Sequence, residues 1–251
     1  MILRKQLGQH LLIDRGALKK EAQLISCDGK TVLEIGPGDG RLTRGVLVAG
    51  AAHITAVEKD RLMVSALNRQ FHANRKVTVV HGDFLEFAPG AYDRIIGNIP
   101  YYISSQIIFR LLEFEFGYCI LCVQKEFASR LLAKPGGRNY GRLSASAGHY
   151  FEIEKLLDVP RVSFAPIPRV DSTVIGLRKR NVGRDLRFER ISNALFQHRL
   201  KTVRAALAAS HTALGMEKRD AKKLGDSVKY KERRVFTLSA QEIIEIAGQV
   251  G

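Results

Sequence analysis

The residues best suited to chemistry are Asn98-Ile99-Pro100-Tyr101, a polar, proline-locked turn that follows the apolar run Ile95-Ile96-Gly97. An exocyclic amine on a flat base such as adenine presents two N–H donors and a π-face. The turn answers with a side-chain amide oxygen, a main-chain carbonyl of Ile99 or Pro100, and the ring of Tyr101. Such an amine is a poor nucleophile because its lone pair is delocalised into the ring. Two acceptors on its hydrogens let the nitrogen pyramidalise and aim that pair at an electrophile, which is catalysis by positioning and not by a strong base. Stacking on Tyr101 would hold the base, worth about 1–3 kcal/mol. Asn and Pro also punctuate ordinary turns, so the assignment of Asn98, Ile99, Pro100 and Tyr101 as catalytic residues leans on the rest of the chain.

A second constellation precedes it. Gly36, Gly38 and Gly40 fall in one tight turn after Thr31-Val32-Leu33-Glu34-Ile35. Glycines there let a ligand approach the backbone, and a helix N-terminus beyond offers N–H groups. The spacing departs from the dinucleotide pattern G-x-G-x-x-G, because Arg41 stands where the third glycine belongs, which argues against a nicotinamide or flavin cofactor. Glu58 closes a second strand, where a carboxylate can accept from both hydroxyls of a ribose. Asp83 closes a third and is placed to accept from an adenine amino group. Ligands of open α/β sheets bind beyond the carboxyl ends of the strands, so these residues should converge on one crevice and hold a nucleoside cofactor.

The elements that must position them alternate. Strands near 31–35, 54–57, 77–80, 94–96 and 118–123 are separated by helical patterns near 14–25, from 42, 61–68 and 105–114. Alternation of this kind predicts a mostly parallel sheet covered on both faces. After Lys125 a helix ends before the turn-rich segment Lys134-Pro135-Gly136-Gly137-Arg138-Asn139. Tyr150 to Val159 and Ser172 to Arg178 then read as strand following strand, an antiparallel hairpin at the sheet edge. From about Arg184 the pattern is helical. Phe196, Leu200, Val203 and Leu207 share helical spacing and predict one apolar face, with Arg199, Lys201 and Arg204 on the others. The domain boundary falls near Arg180, giving domains 1–180 and 181–251.

The 251-residue chain carries a net charge of +15 and a pI near 10.0 with 45% hydrophobic residues, so it is globular and suited to a polyanionic partner. RNA, DNA and anionic lipid all meet that description. No apolar run approaches the roughly 20 residues of a membrane span, and the opening residues lack a signal-peptide core. An intracellular, cytoplasmic, soluble protein without a membrane partner is expected. Three cysteines make no disulfide framework. Cys119 and Cys122 have C-x-x-C spacing, but in a strand an offset of three puts them on opposite faces, so no metal site is expected.

Together, Gln9-His10-Leu11-Leu12, Glu34 to Thr43, Glu58, Gly82-Asp83, Asn98-Ile99-Pro100-Tyr101, Tyr140 to Ser144 and Phe164 to Ser172 resemble the small-subunit rRNA adenine dimethyltransferase family, KsgA type. In the tail, Phe196 to Lys201 and Arg234 to Ser239 are similar to that family's helical domain. The resemblance implies an α/β class I methyltransferase fold, Rossmann-like, with a mostly parallel seven-stranded sheet and an antiparallel edge hairpin, followed by a small all-α C-terminal domain. It implies S-adenosyl-L-methionine as methyl donor, no metal, and dimethylation of N6 on two adjacent adenines near the 3′ end of small-subunit rRNA. By position it assigns His10, Leu12, Gly36, Glu58, Asp83 and Asn98 to the cofactor, beside Gly38 of the glycine turn, and Asn98 and Tyr101 to the target base. Arg199, Lys201 and Arg204 are the expected RNA contacts, the partner is rRNA in an immature small subunit, and the protein is expected to act as a monomer. The family usually has Phe in place of Leu11, and an Arg-Arg-Lys run where this chain has His198-Arg199-Leu200-Lys201. A large-subunit rRNA target, as in the antibiotic-resistance relatives, and a non-catalytic assembly factor stay open as alternatives.

Overall fold

Short β-branched and apolar runs that stop at glycine, aspartate or asparagine set the frame. The computed structural model describes residues 10–250, so Gln9 and the residues before it lie outside the described residues. Leu11–Leu12 is strand β1, followed by Thr31–Ile35 (β2), His53–Glu58 (β3), Val77–His81 (β4), Ala91–Asn98 (β5), Glu115–Gln124 (β6), Phe151–Val159 (β7), Phe164–Ala165 (β8) and Ser172–Lys179 (β9). Seven of them form one sheet in the order β4-β3-β2-β5-β6-β9-β7, and β1 pairs antiparallel with β8 apart from it. Strands β2 to β6 pair in parallel, and β9 runs antiparallel to β6. The order reverses between β2 and β5, and it is there that a crevice opens at the carboxyl ends of the strands.

Helices Arg15–Leu24 (α1), Arg41–Val48 (α2), Arg61–Phe71 (α3) and Ser104–Arg110 (α4) connect the first strands. Their starts are written in the sequence: Asp14 accepts from Ala17 N at 2.9 Å and Asp60 from Leu62 N at 2.8 Å. Leu18 and Ala22 of α1 and Val46 of α2 pack on Val32, Ile96, Ile120 and Cys122 of the sheet, all buried. Each large apolar side chain so buried contributes roughly 1.5–3 kcal/mol. Cys119 is buried outside that cluster, and all three cysteines are free thiols. Among the described residues no group of His, Cys, Asp or Glu is arranged to hold a metal, and no helix is long and apolar enough to cross a membrane.

The chain divides into two compact units, residues 1–128 with 152–179, and residues 129–151 with 180–251. A single cut after residue 180 therefore misses Ser129–Phe151. That segment includes the end of Lys125–Leu131 (α5) and the whole of Arg142–Tyr150 (α6), a helix absent from the sequence reading. Its buried residues are Ser144, Ala145, Ser146, Ala147 and Tyr150, too small and too polar for an apolar stripe to announce them. It packs in its own unit with Leu186–Phe196 (α7) and Ala240–Ala247 (α10), which with Val203–Ala209 (α8) and Lys218–Ser227 (α9) complete the helices.

The apolar face expected through Phe196, Leu200, Val203 and Leu207 is not one helix. The α7 helix stops at Phe196, Leu200 is 62% exposed, and Thr202 caps a new helix by accepting from Ala205 N at 3.3 Å. The intervening backbone instead pairs with 233–236: Val203 N donates to Arg233 O, Val235 N to Lys201 O and Phe236 N to Arg199 O. Hydrogen bonding to a distant segment outcompetes continuation of the helix.

Candidate active site

The glycine turn leaves β2 in the left-handed region, with φ of +65° at Gly36 and +57° at Gly38. A side chain at Gly38 would meet Leu11 Cδ2 at 2.7 Å, whereas nothing lies within 4 Å of the Gly36 position. The space before Gly36 is the crevice itself. Gly97 serves another purpose: a Cβ there would stand 2.6 Å from Ile35 O, so only glycine lets β5 bring Asn98 alongside the turn.

Glu58 is 6% exposed and already doubly held, its Oε2 accepting from Gly38 N at 3.1 Å and its Oε1 from Asp60 N at 2.8 Å. Burial pushes its pKa up, and the backbone N–H groups oppose that. Each carboxylate oxygen retains a further lone pair for an incoming hydroxyl. Asp83 is also engaged on both oxygens, Oδ1 by Leu85 N at 3.0 Å and Oδ2 by the Lys59 ammonium at 2.6 Å. Partial burial raises its pKa, but the Lys59 and Leu85 hydrogen bonds prevail and hold it below the usual carboxylate range.

Opposite stands the Asn98 turn. Asn98 Oδ1 is buried and has no hydrogen-bond partner among the described residues. Ile99 is buried, and the Pro100 carbonyl receives Ile103 N at 3.3 Å and Ser104 Oγ at 3.4 Å, which starts the following helical turn. Tyr101 is held by its hydroxyl, 2.6 Å from Ser172 Oγ, and stacks with His10 at 6.0 Å between ring centroids. His10 in turn donates from Nδ1 to Pro166 O at 2.7 Å.

Of the residues anticipated from sequence, His10, Gly36, Gly38, Glu58, Asp83, Asn98, Ile99, Pro100 and Tyr101 line one cleft. Leu12 lines the small cavity that adjoins the cleft, with Gly36 and Asn98; its side chain is 4% exposed in the core, and Leu11 lines both spaces. Lys59 and Tyr102 also line the cleft and were not anticipated. Two buried acids behind the cleft were missed as well. Glu21 and Glu34 are each 1% exposed, and no oxygen of either has a hydrogen-bond partner among the described residues. Burial pushes Glu21 up to about 8 and Glu34 up to about 7. Glu34 carries a visible signal, a lone acid inside Thr31–Ile35; Glu21, next to Lys19 and Lys20, reads as a solvated helix face.

The three basic residues of the tail sit in the helical unit. Arg199 donates to Arg138 O at 3.0 Å and lies over the Phe236 ring, while Arg204 pairs with Asp226 at 3.7 Å and Glu232 at 3.4 Å. Lys201 is exposed.

Residues 2–246 match the family model described as ribosomal RNA adenine dimethylase. The chain belongs to the ribosomal RNA adenine dimethylase family. It is 39% identical over 245 residues to a probable ribosomal RNA small subunit methyltransferase A of Thermococcus onnurineus, covering 96% of this chain and 89% of that one. Among solved structures it is similar to a dimethyladenosine transferase from Plasmodium falciparum, with a TM-score of 0.83 at 26% identity over 94% of this chain and 96% of that one. It is also similar to the 23S rRNA methyltransferase ErmE, with a TM-score of 0.68 at 25% identity over 96% and 99% of the two chains. The class I methyltransferase architecture is common to them. For this family the cofactor is S-adenosylmethionine, and the cleft fits it in two respects: the open space at Gly36 and a buried carboxylate, Glu58, fixed at the end of β3.

Proposed function

We propose that the chain dimethylates N6 of two adjacent adenines near the 3′ end of small-subunit rRNA, acting as a cytoplasmic monomer on an immature subunit. The observation that carries this reading is Asn98 Oδ1, an acceptor buried without a partner among the described residues, on a residue that lines the cleft. Leaving such a group unpaired costs about 1–3 kcal/mol, which a ligand donor returns on binding. The names of the small-subunit relatives support the choice of RNA.

When bound, S-adenosylmethionine supplies the methyl group as a sulfonium electrophile. Glu58 would accept the ribose hydroxyls, with Gly36 and Gly38 allowing close approach of the backbone. His10 and Asp83 would border the same ligand. Asn98 Oδ1 accepts one hydrogen of the target amine. The second goes to the Ile99 carbonyl, because the Pro100 carbonyl is committed to Ile103 and Ser104. The Tyr101 ring, fixed at its hydroxyl by Ser172, packs on the base. These acceptors strengthen as the N–C bond forms and the nitrogen becomes acidic, so the proton leaves to solvent and no strong base is needed. A singly methylated amine still offers one hydrogen to Asn98, so a second transfer can follow. The target must be unpaired or extruded, at a cost of a few kcal/mol. The basic helical unit, with Arg199, Lys201 and Arg204, would hold the surrounding phosphates.

The test is incubation with S-adenosylmethionine and small subunits lacking the modification, followed by nuclease mapping and mass spectrometry. Two adjacent N6,N6-dimethyladenosines near the 3′ end are expected. Methylation confined to large-subunit RNA, the substrate named for ErmE, would overturn the assignment. So would binding of subunit and cofactor without any transfer.

A further inference from the structure

We propose that the groove between helices α1 and α2 holds the phosphate backbone of a base-paired rRNA segment beside the target adenines, an RNA contact on the same unit as the cleft. The proposal rests on the reading of RNA as the substrate and adds a surface outside the cleft.

The groove is open because the two helices cross on small residues. A Cβ at Gly45 of α2 would stand 3.2 Å from Ala22 Cβ of α1, and Ala22, Gly45 and Ala49 make the floor of a space of about 970 Å³. Four cations line it in two rows. Arg15 and Lys19 stand one turn apart on α1, and Arg41 and Arg44 one turn apart on α2. No acidic residue lines the groove. The carboxylates nearest in sequence are committed elsewhere: Asp14 accepts from Ala17 N at 2.9 Å, Asp39 pairs with Arg41 at 3.3 Å, and Glu21 is buried. Arg15, Lys19 and Arg44 are exposed and have no ion-pair partner among the described residues.

Like charges held one turn apart on a rigid helix repel, and a polyanion laid between the rows relieves that repulsion while releasing its own counterions. The lining also selects among polyanions. No aromatic ring is present, so unpaired bases find no platform to stack on. A duplex presents phosphates and 2′-hydroxyls instead, which cations and a floor of small residues can meet without reading sequence. A lipid surface would require a broad face of large apolar side chains, and only Ile13 and Val48 project at the rim, 42% and 89% exposed. A floor of Ala and Gly likewise offers no socket for the anchoring side chain of an acidic peptide. The position suits a flanking segment. Leu18 and Arg41 line both the groove and the small cavity that adjoins the cleft, so RNA seated between α1 and α2 lies next to the Asn98 turn.

The experiment measures binding of undermethylated small subunits and of a mixed-sequence RNA duplex from about 50 to 200 mM salt. Three full chains are compared: the native protein, Arg15→Ala/Lys19→Ala/Arg44→Ala, and the control Arg69→Ala/Arg75→Ala/Lys76→Ala, which removes the same charge from exposed residues around the end of α3 and the start of β4. Alanine suits exposed helical positions, so the groove variant should melt as the native protein does. It should bind both RNAs about 10-fold or more weakly, with the salt slope lowered by about 2–3. Its kcat at saturating subunit and its calorimetric Kd for S-adenosylmethionine should change less than about 2-fold, since none of the three residues lines the cleft. The control should lose less than about 3-fold in RNA affinity. Equal losses in the two variants would overturn the proposal, because net charge alone would then explain them. So would unchanged binding by the groove variant. Polyuridine and phosphatidylserine vesicles separate the occupants: a greater loss on either than on the duplex would overturn the assignment to base-paired RNA. In the native protein, Lys19 should be protected from an amine-reactive label when the subunit binds, and Lys76 should not; full labelling of Lys19 in the complex would sink the groove as a contact. None of these readings requires methyl transfer, so failure of the dimethylation reading stays distinguishable from failure of this one.

Discussion

The two walls of the cleft differ in how their polar groups are satisfied. On the glycine-turn side, Glu58 and Asp83 hold backbone N–H groups and an ammonium on all four carboxylate oxygens. On the Asn98 side, the amide oxygen has no partner among the described residues, and neither do the oxygens of Glu21 and Glu34 in the core behind the cleft. The first wall is rigid in advance, as suits a cofactor that returns every cycle. The second keeps an unmet acceptor for a substrate that arrives and leaves, and the fold bears its cost.

The largest expected effect is on the unsatisfied wall. Asn98→Ala should lower kcat by about 10²–10³, the scale of losing one donor or acceptor to the transition state. Cofactor affinity by calorimetry should fall only several-fold; near-normal turnover would erase the contrast between the walls. Next comes stability against pH. The folded-state pKa of Glu21, about 8, exceeds its ordinary 4.5, so the folded protein binds more protons than the unfolded chain between those values. Stability is therefore fully present below pH about 4.5 and declines as pH rises toward 8, by about 1.4 kcal/mol per unit. At pH 7 the loss is on the order of 3 kcal/mol, and Glu21→Gln should restore it in denaturant titrations. Equal pH dependence in the two proteins would place Glu21 outside this account. On the satisfied wall, Glu58→Ala should weaken S-adenosylmethionine binding by about 10- to 100-fold, with kcat at saturating cofactor little changed. An unchanged Kd would remove the ribose role. The smallest effect belongs to the helical unit. Lys201→Ala should reduce the salt slope of RNA binding by about one and leave kcat unaltered; a flat salt response in the native protein would remove the electrostatic role altogether.

The satisfied wall was the more legible in sequence. Gly36, Gly38, Glu58 and Asp83 stand where β-rich runs stop, and a parallel sheet brings strand ends together. Asn98 was legible for the same reason. The buried Glu21 was not, because its burial depends on which face of α1 meets the sheet, and its lysine neighbours suggest the opposite face. The α6 helix escaped because Ser144, Ala145, Ser146 and Ala147 bury little area each and make no stripe. The break after Phe196 escaped because backbone pairing with 233–236 is a long-range event that local spacing does not encode. That Leu11 borders the cleft beside Leu12 was not legible, since β1 has only two residues, too few for alternation to show which side chain faces the core.

The ribbon of β1 and β8 also dictates when the cleft is complete during synthesis. Leu11 and Leu12 pair with Ala165 and Phe164, and His10 reaches Pro166 across 156 positions of sequence. Contacts so distant along the chain form late, after the entropy of closing the loop has been met. On a translating ribosome, the glycine turn, Glu58 and Asn98 emerge well before the residues that close the rim above them. A nascent chain stopped short of Phe164 would have the floor of the cleft without its wall at Leu11. Closure of the rim therefore waits for residues 164–166, which lie past the middle of the 251-residue chain, a timing built into the connectivity of the fold.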